Sequence, residues 1–367
     1  VFRLRLGFDA TILTRRLTGV GIYTKSLISA LLEVDPKLEI VLFAHKKIED
    51  FEDEPRVEKI VKYGLNVHHF LQFKLPHLLK KHKIDIFHGP NFYLPLRGKI
   101  PKAVTVHDLS AQFFPGQHTL RHRLSQLFFP PSLRKADRII SVSRTTANEL
   151  TRFASETEAK TRVVHNGIDP IFAPVTEVEV REIREEFYLP ERFILFVGTL
   201  EPRKNVGRLV EAYARVKERI GDTKLVIAGG RGWQYNDIFA RIDRLCISDD
   251  VLCIGYIPFE SLPALYSAAH VFAYPSLYEG FGLPPLEAAA CGTPVLTSNL
   301  SSMPEVMADA AVLIDPMDTE GIAEGLFKLS TDDTLRSDLI LKGFSRAAEF
   351  SWKTTARKTL EIYRELL

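Results

Sequence analysis

Short apolar runs rich in valine and isoleucine recur along the chain, with helical patterns between them. In the first half they are LRLGFDA (4–10), EIVLFAH (39–45), IDIFHG (84–89), AVTVHD (103–108), RIISVS (138–143) and RVVHNG (162–167). The second half carries RFILFVGT (192–199), KLVIAGG (224–230), VLCIGY (251–256), HVFAYP (270–275), TPVLTS (293–298) and AVLID (311–315). Runs that are apolar throughout, instead of alternating, belong in sheets covered on both faces, which predicts parallel sheets in an α/β fold. Two such series in succession predict two Rossmann-like, doubly wound domains. The join falls in NGIDPIFAPVTEVEV (166–180), where two prolines interrupt regular structure and an acidic helix over 177–187 opens the second domain. The expected domains are 1–172 and 173–350. A final helix follows Ser351 as N-cap, with Trp352, Ala356, Leu360, Tyr363 and Leu367 on one stripe.

Composition narrows this picture. A chain of 367 residues has room for two cores. No apolar run is long enough to span a bilayer, and VFRLRLGFDA reads as a buried strand, not an export signal. Cys246, Cys253 and Cys291 lack metal-ligand spacing, which points to a reducing, cytoplasmic compartment. The net charge of +2 conceals a division: 27 Lys and Arg against 17 Asp and Glu up to residue 172, and 21 against 29 beyond it. Charge alone would suit an anionic membrane surface or nucleic acid as partner of the first half, or a solvated basic face.

Ligands of such sheets bind beyond the carboxyl ends of the strands. Four motifs lie there. In PSLYEGFGLPPLEAAACGTPV (275–295) a strand leads into a loop holding Glu279, Gly280, Phe281 and Gly282. Pro284 and Pro285 then pre-set a helix that Gly292 ends. Backbone amides at such a junction suit phosphate or sugar hydroxyls, and Glu287, expected in the first helical turn, could join Glu279 on one ligand. The alternative role for Glu287 is to complement the helix dipole. FVGTLEPRKNVGRLVEAY (196–213) repeats the strand–turn–helix plan with Gly198 and places Arg203 and Lys204 at the helix start. A cation is disfavoured there, which calls for an anionic partner such as a diphosphate. Gly19 and Gly21 precede an amphipathic helix in GVGIYTKSLISALLEV (19–34), a weaker signal that a plain tight turn also explains. His107 and Asp108 end a strand in TVHDLS, where the histidine can serve a ligand near neutral pH or be structural. His88 and His165, also at strand ends, suit structural or acceptor-side roles. A GxxxxGK[ST] loop, a GxGxxG fingerprint and a DxD pair are all missing, which argues against an ordinary NTPase, an NAD enzyme and a Mg²⁺-held diphosphate.

Together GVGIYT, HGPN, VHDLS, SVSRTT, VVHNGIDP, VGTLEPRKN, IAGGRGW, GYIP, YEGFGLPPLEAAACGTPV and SWKTTARKTLEIY resemble the family-4 (group 1) retaining glycosyltransferases of the GT-B fold, over essentially the whole chain. The spellings LEPRKN and SLYEGFGLP look most like the bacterial mannosyltransferases that extend O-antigen and related polysaccharides. The resemblance implies two domains facing across a cleft, a nucleotide-sugar donor (GDP-mannose first, UDP-sugars second) and a glycan or lipid-linked acceptor held by the first domain. It also implies retention of configuration, with no metal or other cofactor and no nucleic-acid partner. Glu279 and the amides of Gly280, Phe281 and Gly282 would hold the donor sugar, with Leu283 next to the phosphates and Gly198 among the donor-binding residues. Glu287 would bind the ribose, and Arg203 and Lys204 would stabilise the departing diphosphate. His107 would contact the transferred sugar, while Gly19 to Gly21 lies against the phosphates. Many relatives carry Arg where this chain has Thr199, so more of the phosphate charge would fall to Arg203 and Lys204. The last helix would return to the first domain. A nucleotide-sugar epimerase and a non-catalytic sugar-binding protein remain as other readings. The basic and aromatic stretch 118–138 suggests peripheral contact with an anionic membrane, as at the inner face of a cell membrane.

Overall fold

The computed structural model describes residues 4–14, 19–113, 125–232 and 235–367. It consists of two compact units, Val1–Gly167 with Ser351–Leu367, and Ile168–Phe350.

The first unit is built on seven strands: β1 (Arg5–Asp9), β2 (Glu39–Ala44), β3 (Val57–Val61), β4 (Ile86–Gly89), β5 (Lys102–Val106), β6 (Arg138–Ser141) and β7 (Thr161–Val163). Their order is β3-β2-β1-β4-β5-β6-β7, and every pairing is parallel. Six of these strands coincide with the apolar runs. The seventh, β3, is a sheet edge whose sequence VEKIV mixes charge with apolar residues, and each of its positions is half-buried. An edge strand needs no second apolar cover, so it leaves no continuous run. The helix Gly19–Val34 lays Leu27, Ile28, Leu31 and Leu32 on the sheet. Gly19 and Gly21 do not precede this helix, as expected from the sequence, but form its first turn.

The helix Trp352–Arg364 belongs to this unit, and Ser351 caps it by accepting from Thr354 N. Trp352, Ala356, Leu360 and Tyr363 enter the same core as β1 and β2, whereas Leu367 lies past the helix and is exposed. A buried polar chain runs through this core. The His88 ring lies 2.6 Å from the Tyr363 hydroxyl on one side and 2.8 Å from the Thr105 hydroxyl on the other, and Tyr23 reaches Thr105 at 2.9 Å. Burial brings His88 down to about 3, so the ring is neutral, which fits a structural role.

The second unit repeats the plan with six strands: β8 (Phe193–Val197), β9 (Lys224–Ala228), β10 (Val251–Gly255), β11 (Val271–Tyr274), β12 (Val295–Ser298) and β13 (Val312–Ile314). The order β10-β9-β8-β11-β12-β13 is again parallel throughout. This is the Rossmann order, in which direction reverses between β8 and β11, as it does between β1 and β4 in the first unit. The acidic helix Glu177–Glu186 opens the unit with a capping box between Thr176 and Glu179. Among the described residues, no helix is long and apolar enough to cross a membrane, and no cluster of three His, Cys, Asp or Glu could hold a metal.

The Tyr363→Phe substitution leaves one nitrogen of a buried neutral histidine without its partner. The expected loss is about 1–3 kcal/mol of stability, read as a lower urea midpoint. An unchanged midpoint would show that the contact contributes nothing.

Candidate active site

The switch point of the second unit brings together the loops that follow β8 and β11. After β11, the chain turns through Pro275 to Gly282 and enters the helix Leu283–Ala290. Gly282 is left-handed (φ 100°), a conformation that strains any other residue, and a Cβ there would also have to displace the end of the Met303 side chain. After β8, Arg203 and Lys204 lie in a 3₁₀ turn, Pro202–Lys204, and not in the helix Val206–Val216. Asn205, itself left-handed, separates the two and ties the loops through bonds from Nδ2 to the carbonyls of Pro275 and Pro316.

Glu279 gathers this site. Its Oε1 accepts from Lys204 Nζ (2.6 Å), Tyr274 Oη (2.9 Å) and Ser276 Oγ (2.7 Å), and its Oε2 accepts from Arg203 Nη1 (3.0 Å). Lys204 Nζ also donates to the Tyr274 hydroxyl. The anionic partner expected for the two cations is therefore, in this structure, a protein carboxylate. Burial alone would raise the Glu279 carboxyl, but the charges of Lys204 and Arg203 outweigh it and hold the group at about 2. It is an anion at any physiological pH, an acceptor of hydrogen bonds and never an acid. Among the described residues, Oε2 accepts only from Arg203, which leaves it room for a ligand hydroxyl.

Two residues that the sequence did not mark hold the loop. Ser301, left-handed at φ 57°, accepts from Glu279 N and donates to Glu279 O. Ser302 Oγ is 2.9 Å from Glu279 O and 2.7 Å from Phe281 O. They fix the backbone from Glu279 to Phe281, next to Gly282 and Leu283 at the helix start. That helix start is a weaker anion site than its position suggests, because Pro284 and Pro285 remove two of its four unpaired N–H groups. Gly198, just past β8, sits against Gly229, whose Cβ would fall 1.8 Å from the Gly198 carbonyl oxygen.

Glu287 occupies the second helical turn, not the first, so it does not cap the helix dipole. It accepts from the Tyr266 hydroxyl at 3.0 Å and makes no bond with the Glu279 set. Burial raises its carboxyl to about 7 against the lowering effect of Tyr266, and the charge of Asp169 pushes the same way. Near neutral pH it can both donate to and accept from hydroxyls.

In the first unit His107 directly follows β5. Its Nε2 lies 2.8 Å from the Pro90 carbonyl, so Nε2 carries the proton and Nδ1 is left as an acceptor. Burial lowers its pKa and keeps the ring neutral. Gly19 is exposed, and a Cβ there would meet nothing within 4 Å, so no internal packing requires glycine at that position. Beyond β1 and β4 lies a cavity of about 950 Å³, lined by Asp9, Asn66, Asn91, Phe92, Tyr93 and Phe128 among others.

A family model described as glycosyl transferases group 1 matches residues 179–346, and one described as Glycosyltransferase Family 4 matches 17–172. The chain is 35% identical over 292 residues to O-antigen chain mannosyltransferase B of Escherichia coli, covering 78% of this chain and 76% of that one. The chain is a group 1, family 4 glycosyltransferase. The serotype-specific mannosyltransferase WbdA of Escherichia coli is 29% identical over 64% of this chain, which spans only 29% of that protein. Among solved structures, sucrose-phosphate synthase from Thermosynechococcus elongatus superposes with a TM-score of 0.80 at 23% identity, covering 99% of each chain. WaaG, a glycosyltransferase involved in lipopolysaccharide biosynthesis, gives 0.77 at 18% identity, covering 98% of this chain and 99% of the other. The fold of this glycosyltransferase is thus GT-B.

The two acids give opposite pH signatures. Glu279 lies below its ordinary 4.5 in the folded state, so its contribution is complete above that pH and is lost as pH falls towards 2. Glu287 lies above 4.5, so its contribution is present below that pH and is lost as pH rises through about 7. Glu287→Gln, fixed in the neutral state, should gain about 1–3 kcal/mol on the wild type between about pH 5 and pH 8. Parallel stability curves from urea unfolding would refute the assignment.

Proposed function

We propose that the chain transfers mannose from GDP-mannose, with retention of anomeric configuration, to a glycan or lipid-linked glycan. The observation that carries the choice of sugar is the 35% identity to O-antigen chain mannosyltransferase B over 76% of its length. In this reading the second unit takes the donor and the first unit the acceptor.

The site supports particular roles. Glu279, a fixed anion with room at Oε2, accepts from hydroxyls of the donor sugar, while the amides of Gly280, Phe281 and Gly282 lie beside it. Lys204 uses two of its three ammonium protons on Tyr274 and Glu279, and the third is available to the diphosphate. Arg203 joins it there, with Leu283 and Gly198 nearby, and Glu287 bonds the ribose hydroxyls. His107 accepts from a sugar hydroxyl through Nδ1. An acceptor oxygen attacks the anomeric carbon from the face that the phosphate leaves. As the new C–O bond forms and the C–O bond to phosphate breaks, the acceptor's proton passes to the phosphate oxygen. The products are a glycoside and a nucleoside diphosphate. Charge developing on the leaving group is met by cations that Glu279 already orients, so little reorganisation is needed.

Calorimetry with GDP-mannose, UDP-glucose and UDP-N-acetylglucosamine, with EDTA present, tests the donor. Binding of GDP-mannose alone is expected, and binding of a UDP-sugar instead would overturn the mannosyl reading. Glu279→Gln should lower kcat more than it weakens donor binding, whereas Lys204→Ala should damage both. Wild-type turnover in both variants would remove the site assignment.

A further inference from the structure

The cluster around Arg203 and Lys204 is electrically balanced. The two cations are paired with two acids, Glu279 and Glu201. A nucleoside diphosphate is a polyanion, so a balanced cluster forfeits much of the attraction its cations could supply. Glu279 has a task of its own, since it is buried, held by four side chains and tied into the loop that follows β11. Glu201 is placed differently. Its Oε1 lies 2.7 Å from Arg203 Nη2, and among the described residues that is its one ion pair. Its charge also acts on Lys204 and on the Tyr274 hydroxyl, so it is felt across the whole cluster.

Glu201 lines a cavity of about 750 Å³, together with residues of the helices Val206–Val216 and Asn236–Arg244. Two arginines line it as well. Arg241 is matched by Glu211 and Asp237. Arg138, at the end of the basic stretch 118–138, is likewise held by Glu365; residues 118–124 of that stretch lie outside the described residues. Arg208 has no such acid. It stands in the first turn of the helix Val206–Val216, where a positive charge is disfavoured and no acidic side chain offsets it. Among the described residues its guanidinium makes one bond, from Nη1 to the neutral Oδ1 of Asn205 at 3.0 Å. One cavity is therefore lined by a carboxylate that occupies a ligand's cation and by a cation that lacks a carboxylate.

We propose that Glu201 is an exchangeable counter-ion, which neutralises Arg203 while the site is empty and passes to Arg208 when a diphosphate takes Arg203. This rests on the reading above in which Arg203 and Lys204 receive the diphosphate. The exchange raises the charge of the cluster by one as the ligand arrives. The return of Glu201 restores the balance as the nucleoside diphosphate leaves, so the anion is bound without being trapped. Glu201 acts through Arg203 and is a positioning residue, not a catalytic one. Each position of the carboxylate has a cation, so releasing Arg203 does not strand a charge.

The test is calorimetric titration of the 367-residue chain with GDP, and separately with UDP, in four forms: wild type, Glu201→Gln, Arg208→Met and the double variant. Glutamine keeps an oxygen for Arg203 but removes the charge, so Glu201→Gln should tighten the nucleoside diphosphate about three- to tenfold. Arg208→Met should weaken it by a similar factor, because Glu201 then has no second partner. The double variant should bind like Glu201→Gln alone, since Arg208 matters only through Glu201. Both side chains are half-buried, and unchanged thermal melts would show that the fold is kept. Unchanged or weaker binding by Glu201→Gln would overturn the proposal, because the carboxylate would then only hold Arg203 in place. Wild-type binding by Arg208→Met would overturn it too, as would an equal loss in both backgrounds, which would put Arg208 on the ligand itself. If neither nucleotide binds the wild type, the donor reading falls and the exchange with it, whereas binding with the wrong pattern counts against the exchange alone.

Discussion

A carboxylate withdrawn from water must be matched by partners or give up its charge. Glu279 keeps its charge because Lys204, Arg203, Tyr274 and Ser276 converge on it. These partners come from both sides of the switch point. Tyr274 is the last residue of β11 and stacks on Phe196 of β8, with ring centroids 5.6 Å apart. Leu277 N donates to the Arg203 carbonyl at 2.8 Å, which joins the two loops. The bare backbone from Gly280 to Gly282 is presented in a fixed position because the charge beside it is fully engaged. Removing any one partner would unsettle the rest.

Much of this was legible in the chain. Continuous apolar runs marked twelve of the thirteen strands among the described residues, since a strand buried on both faces cannot hide its composition. The edge strand β3 escaped because its half-buried positions tolerate Glu58 and Lys59. At the site, the acid and the two cations were visible as residues out of local place, but not as partners of one another. Their pairing spans 75 and 76 positions and depends on the sheet order. Ser301 and Ser302 left no signal, because two serines in NLSSMP read as an ordinary turn. Glu287 shifted by a turn since the helix begins at Leu283, immediately after the left-handed Gly282.

The first unit distributes its charge differently. Burial holds both His88 and His107 uncharged, and it raises Asp9, which lines the cavity and accepts from Thr11 N, towards its neutral form.

The helix Trp352–Arg364 emerges from a ribosome after every residue of the second unit, yet it supplies part of the first unit's core. The order of maturation is therefore inverted. Residues 168–350 can reach their native state while the sheet begun by residues 5–9 still waits with an uncovered apolar face. For that interval the nascent chain is half finished at the end made first. That exposed face, awaiting Trp352 and Tyr363, is where a chaperone would find its grip.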